Sequence, residues 1–271
     1  MSSHVTTQSS RNGLLLAAFG TTVPEARSAL GHIEKKAAER FPCMEIRWAY
    51  SSRIVRGLLA EEGIIVDSPA MALARMMDDG FAHVAVQSLH TIPGEEFHAL
   101  HKTVQAFAGI PKGMRTVVLG RPLLSEPEDV EACARAILAS LPPERKKNEA
   151  VVLLGHGTRH PANIYYPGLQ HYLDRIDPLV LVGTVEGVPS LEDVRELLRM
   201  RQASRVYLQP FMAVAGDHAV NDMAGDEEDS WKSVLTADGL DCIPVMKGTA
   251  ECPAFVDIWL DHLQDALERL P

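Results

Sequence analysis

The chain has 271 residues, 46% of them hydrophobic, which is enough for a substantial core in one large domain or two smaller ones. Its formal net charge of −10 disfavours a general nucleic-acid binder, because phosphate neutralisation needs a basic face; it leaves room for an anionic ligand at a local arginine. No segment is apolar over a membrane-spanning length, and Met1–Asn12 is polar with no signal-peptide pattern, so a cytoplasmic location is expected.

Gly13–Phe19 is a near-continuous apolar run closed by Gly20, the pattern of a strand buried on both faces. Pro24 fits a first helical turn, and the helix runs to about Arg40. Glu45–Tyr50 reads as the second strand. Ser68 and Pro69 form a cap and first turn for a helix over Ala70–Asp79, which Gly80 closes; Met71, Met76 and Met77 read as its core residues. A strand at His83–Leu89, a helix at Glu95–Phe107, a short strand at Thr116–Leu119 and a helix at Pro127–Leu141 follow. Pro142, Pro143 and the charged run Glu144–Asn148 read as a solvated connector.

The pattern then restarts. Ala150–Leu154 is an apolar strand ending at Gly155, Asn163–Arg175 is helical and Leu179–Val185 is a strand. Ser190 caps a helix over Leu191–Arg201. Arg205–Leu208 is a strand, Ser230–Ala237 a helix, Cys242–Val245 a strand and Glu251–Arg269 a long closing helix. The same order twice predicts an internal duplication. Phe19-Gly20-Thr21 matches His156-Gly157-Thr158, Gln87–Gly94 matches Gln209–Gly216, and Tyr50 answers Val185. The expected fold is α/β, with two similar doubly wound parallel-sheet domains, 1–145 and 146–271, facing a central cleft. Ligands of such sheets sit beyond the carboxyl ends of the strands.

Candidate functional residues lie at those ends. His156, between Gly155 and Gly157, Glu186 and His218 each follow one of three consecutive strands of the second half. Neighbouring strands are about 5 Å apart, so the three side chains can converge on one ion. Two imidazoles and a carboxylate suit Zn, Fe, Co or Ni, whereas Mg and Ca prefer oxygen alone. In the first half, Ser88, His90 and Glu96 lie at or beyond the third strand, with Glu96 the repeat counterpart of His218. Ser51 and Arg53 follow the second strand, where an arginine fork can bind a substrate carboxylate. His98 and His101 read as a solvated helix face, and Asp222 with Asp226–Asp229 as a solvated helix start. His4, His32, His83, His160, His171 and His262 have no supporting constellation. Cys43, Cys133, Cys242 and Cys252 form no close pair and read as buried or half-buried free thiols.

Taken together, Leu16–Thr22, Arg47–Ser52, Val86–Glu96, Gly155–Thr158, Val185–Gly187 and Ala215–His218 resemble the anaerobic cobalt chelatases (sirohydrochlorin cobaltochelatases of the CbiK type), from about Gly13 to Leu270. The resemblance implies a class II chelatase fold whose two α/β domains enclose the macrocycle. It implies ATP-independent insertion of Co²⁺, or Fe²⁺ in some relatives, into sirohydrochlorin on the route to cobalamin or siroheme. It places the metal ligands on His156, Glu186 and His218. No cofactor is required beyond the substrate metal. The expected partners are sirohydrochlorin and the divalent ion, with neither nucleic acid nor membrane; a homo-oligomer is compatible with the sequence. His156, Glu186, His218, Glu96 and His90 are the expected catalytic residues, and Ser51, Arg53 and Ser88 the expected substrate-binding ones. Two other readings use the same residues: a metal-dependent hydrolase that activates water, and a non-catalytic carrier of metal or tetrapyrrole. No HExxH motif is present, which weakens a protease.

Overall fold

Strands that lack polar alternation must be covered on both faces, and that requirement shapes the molecule. The computed structural model describes residues 11–270. The first half contains β1 (Arg11–Ala18), α1 (Pro24–Arg40), β2 (Glu45–Tyr50), α2 (Arg53–Glu61), α3 (Pro69–Asp78), β3 (Phe81–Ser88), α4 (Glu95–Ala108), β4 (Thr116–Gly120) and α5 (Pro127–Ala139). The second contains β5 (Ala150–Gly155), α6 (Tyr165–Asp174), β6 (Val180–Thr184), α7 (Leu191–Met200), β7 (Arg205–Pro210), α8 (Trp231–Ala237), β8 (Asp241–Pro244) and α9 (Pro253–Leu267). Two four-stranded, wholly parallel sheets result, ordered β2-β1-β3-β4 and β6-β5-β7-β8. The identical order bears out the expected α/β duplication. The β5 and β6 strands are buried at every position.

Side chains alternate between two cores along each central strand. Leu14, Leu16 and Ala18 of β1 and Val151 and Leu153 of β5 enter one continuous central core with α1, α5, α6 and α9. Leu15 and Ala17 face a core under α3 and α4, and Ala150, Val152 and Leu154 face one under α7 and α8. The closing helix α9 buries Phe255, Trp259, Leu260 and Leu263 and packs against β3 and β4 of the first sheet, although the second sheet immediately precedes it in sequence. Each such fully buried side chain contributes roughly 1.5–3 kcal/mol.

A buried polar pair fixes that crossing. Asp129 of α5 holds His262 of α9, with Oδ1 2.9 Å from Nε2. Its Oδ2 accepts from the backbone N–H groups of Ser125 and Glu126 and from the Ser125 hydroxyl. Burial alone would raise the Asp129 pKa; the hydrogen bonds from His262 and Ser125 outweigh it and pull the group down to about 2.

Three sequence expectations need correction. Met71 is 50% exposed rather than in the core, because the buried face of α3 is carried by Ala72, Leu73 and Met76. Cys43 is exposed, since it sits in the turn between α1 and β2; the four cysteines are free thiols. Tyr50 pairs with Ala18 while Thr184 pairs with Gly155, so the counterpart of Tyr50 is Thr184 and not Val185. His4 lies outside the described residues. Among these residues no helix is long and apolar enough to cross a membrane.

Candidate metal-insertion site

The second-half site begins with backbone. Beyond the ends of β5, β6 and β7, Val185 N–H donates to Gly155 O at 3.0 Å, Glu186 N–H to His156 O at 2.8 Å and Phe211 N–H to Leu154 O at 2.7 Å. Gly157 has φ of 78°, and a Cβ there would lie 2.6 Å from Gly187 N, so only glycine lets the His156 and Glu186 turns touch. Asn163 pins the contact. Its Oδ1 accepts from Thr158 N–H at 3.1 Å, and its Nδ2 donates to Val188 O at 2.7 Å.

Two imidazoles meet on this frame. The rings of His156 and His218 stand at 87° with centroids 4.6 Å apart. Nδ1 of His156 lies 2.9 Å from Gly157 O, and Nδ1 of His218 lies 2.7 Å from Asp222 Oδ2. A carbonyl and a carboxylate only accept, so both Nδ1 atoms donate, and in a neutral ring so held the Nε2 lone pair is the one left for a metal. A carboxylate placed behind the ring as Asp222 is behind His218 is the kind of outer support that orients a histidine for a metal. A π-helical turn at Ala219–Met223 follows His218 and carries this partner.

Glu186 is not gathered with them. It is exposed and lines an open depression of about 460 Å³ with Arg159, His160 and Asn163. Among the described residues no three His, Cys, Asp or Glu side chains stand close enough to cage an ion.

The first half brings four expected residues together. Ser51 donates to Glu96 Oε2 at 2.6 Å and stands 3.5 Å from His90 Nε2, while Ser88 Oγ is 2.9 Å from His90 Nδ1. Burial pushes the His90 pKa down to about 4, against the opposing charge of Glu96. Arg53 is apart from this group, exposed at the first position of α2.

The carboxyl ends of the two sheets face each other. A Cβ on Gly216 would lie 3.1 Å from Thr21 Oγ1, and the rings of His98 and His160 lie 5.1 Å apart.

The sequence profile of the cobalt chelatase (CbiK) family matches residues 12–268. The chain belongs to that family. It is 45% identical to the sirohydrochlorin cobaltochelatase CbiKC of Nitratidesulfovibrio vulgaris over 260 residues, covering 96% of this chain and 92% of the relative. It is 34% identical to the sirohydrochlorin cobaltochelatase of Salmonella typhimurium over 95% of this chain and 97% of that one. Among solved structures, SirB of Bacillus subtilis with Fe³⁺ superposes with a TM-score of 0.61 at 14% identity, covering 94% of this chain and 95% of that one. SirB of Bacillus subtilis subspecies spizizenii in complex with cobalt gives 0.59 at 13% identity, over 95% and 96%. These two support the fold.

Within this cobalt chelatase-family chain, three site features escaped the sequence reading. Asp222 was hidden in an acidic run, although its i,i+4 spacing from His218 is a usable signal. His160 had no sequence neighbours to mark it; it caps a 3-10 turn through Nδ1, which accepts from Ala162 N–H at 3.1 Å. Asn163 carried no signal, since one partner is a backbone N–H five residues back and the other, Val188, lies on the loop after β6.

Proposed function

We propose that this cobalt chelatase inserts Co²⁺, with Fe²⁺ as the alternative, into sirohydrochlorin without ATP, in the route to cobalamin or siroheme. The observation that carries the reading is the facing pair of imidazoles with both Nδ1 protons tied down. Such a pair offers two nitrogen donors to an incoming divalent ion at no tautomeric cost. Cobalt and iron both suit imidazole nitrogen. Glu186 completes the metal set by rotation of its exposed side chain, because its backbone is already bonded to that of His156. Its carboxylate offsets the charge of the ion.

The macrocycle lies between the two sheets' carboxyl ends, here assigned to domains 1–145 and 146–271. Arg53, exposed on the first-half side, binds a peripheral carboxylate. Two pyrrole N–H protons must leave as the metal enters. His156 Nε2 takes one once the ion has passed from it to the ring nitrogens, since a neutral imidazole is a competent base at neutral pH. His90 and Glu96 assist from the opposite wall. We place the enzyme in the cytoplasm.

The test is anaerobic absorbance of sirohydrochlorin with Co²⁺ and then Fe²⁺, with and without protein. Protein-dependent appearance of the metallated spectrum is expected. Stoichiometric binding without release of metallated product would instead make the chain a carrier. Ester, amide or phosphate turnover with no tetrapyrrole present would make it a hydrolase.

A further inference from the structure

With an ionised Glu96 and a neutral His90, one arrangement of protons satisfies every contact of this group. An ionised carboxylate accepts and never donates, so at 2.6 Å the single hydroxyl proton of Ser51 points at Glu96 Oε2. The Ser51 oxygen, 3.5 Å from His90 Nε2, can then only accept, so that long contact is satisfied when the nitrogen carries the proton. A neutral imidazole has one proton, so Nδ1 is bare and takes the hydroxyl proton of Ser88 at 2.9 Å. The Ser88 oxygen in turn accepts the His90 backbone N–H at 3.4 Å. The neutral state of His90 agrees with the push of burial on its pKa. All three hydroxyl and ring donors therefore point one way, from the buried end of β3 toward Glu96.

We infer that Ser51, His90 and Ser88 act through Glu96 and not on the macrocycle, holding its carboxylate as the proton acceptor on the first-half wall. This rests on the chelatase reading above. The members come from the ends of β2 and β3 and the first turn of α4, so the fold itself aligns them. The helix start also favours the ionised carboxylate. Ser88 is fully buried, Ser51 and His90 are half-buried and Glu96 is exposed, so the acceptor end is the part most open to a macrocycle. In the step itself a pyrrole N–H bond breaks and its electron pair stays on the ring nitrogen for the entering metal. An O–H bond forms at Oε1 of Glu96, the oxygen outside the chain, and the proton then passes to solvent. Ser51 and Ser88, expected from sequence to bind substrate, and His90, expected to be catalytic, become positioning residues.

The experiment is steady-state anaerobic metallation of sirohydrochlorin with Co²⁺ by the full chain, as a double-mutant cycle. Glu96→Gln should lower kcat by about 100-fold or more, the usual contribution of a general base. Ser51→Ala should lower kcat about tenfold with KM unchanged, and Ser51→Thr, which keeps the hydroxyl, should restore it. In the Glu96→Gln background, Ser51→Ala should have no further effect. His90→Gln is the second probe if Ser51→Ala lowers the melting temperature; it should show the same kcat loss and the same silence without Glu96. A raised KM at constant kcat, or a Ser51 effect that persists undiminished in the Glu96→Gln background, would overturn the inference. A wild-type protein with no metallation at all would overturn the chelatase reading instead.

Discussion

The two halves share stations but not chemistry. Ser52 N–H bonds Phe19 O in the first half as Glu186 N–H bonds His156 O in the second, and Leu89 stands to Ala17 as Phe211 stands to Leu154. Gly20 and Gly157 both take positive φ, 99° and 78°. Glu96 and His218 each lie nine residues beyond the matching glutamines, Gln87 and Gln209. The fold thus builds three equivalent positions twice. The second copy fills them with His156, Glu186 and His218. The first fills them with Phe19, Ser52 and Glu96, and attaches the last to a hydrogen-bonded chain. A duplicated frame supplies positions beyond the strand ends; individual substitutions decide the chemistry that each wall can offer.

This contrast can be broken in a graded way. His156→Ala or His218→Ala should abolish metallation, a loss beyond about 100-fold, with an unchanged melting temperature; Phe19→Ala, at the matching station, should retain activity within about tenfold. Steady-state kinetics and thermal melts check both. Asp222→Asn should reduce cobalt affinity or activity about 10–100-fold, because the acceptor behind the His218 ring loses its negative charge. Titration of the apo protein with Co²⁺, followed by the d–d absorption, measures it.

Smaller effects test the shared frame. Gly20→Ala and Gly157→Ala should each lower stability by about 1–3 kcal/mol, since both add a Cβ at positive φ against a close neighbour, Tyr50 or Gly187. Denaturant unfolding would compare them, with the larger activity loss expected for Gly157→Ala. Last is the pair that ties α9 to the first sheet. The Asp129 carboxyl is lowered to about 2 in the fold, so its contribution is complete above the ordinary value near 4 and lost as pH falls through 2. That contribution is on the order of 2 kcal/mol. Asp129→Asn should therefore be destabilised relative to wild type at pH 7, and the gap should close by pH 2; unfolding curves at the two pH values read it.

Much of this was legible in the chain. Continuous apolar strands ending in glycine, Ser68 and Ser190 at helix starts, and the repeated Phe19-Gly20-Thr21 and His156-Gly157-Thr158 triplets follow from local chemistry. Other features were not. The helix α2 buries only Leu59, so its periodicity does not mark a core-facing stripe. Nothing local shows that α9 crosses back to β3 and β4, because a helix's apolar face does not name its partner. His262 shows the same limit: its acceptor, Asp129, is 133 residues away. Of the site residues, the facing of His156 and His218 was expected, whereas the outward aim of Glu186 was not, since strand spacing positions backbones and leaves rotamers open.

The account turns on the imidazole pair as the point of metal entry. The most direct measurement is the initial rate of anaerobic Co²⁺ insertion into sirohydrochlorin by wild type, His156→Ala and His218→Ala, with fold verified by circular dichroism. The account predicts enzyme-dependent metallation by wild type and none above the uncatalysed rate by either variant. Full activity in both folded variants would contradict it.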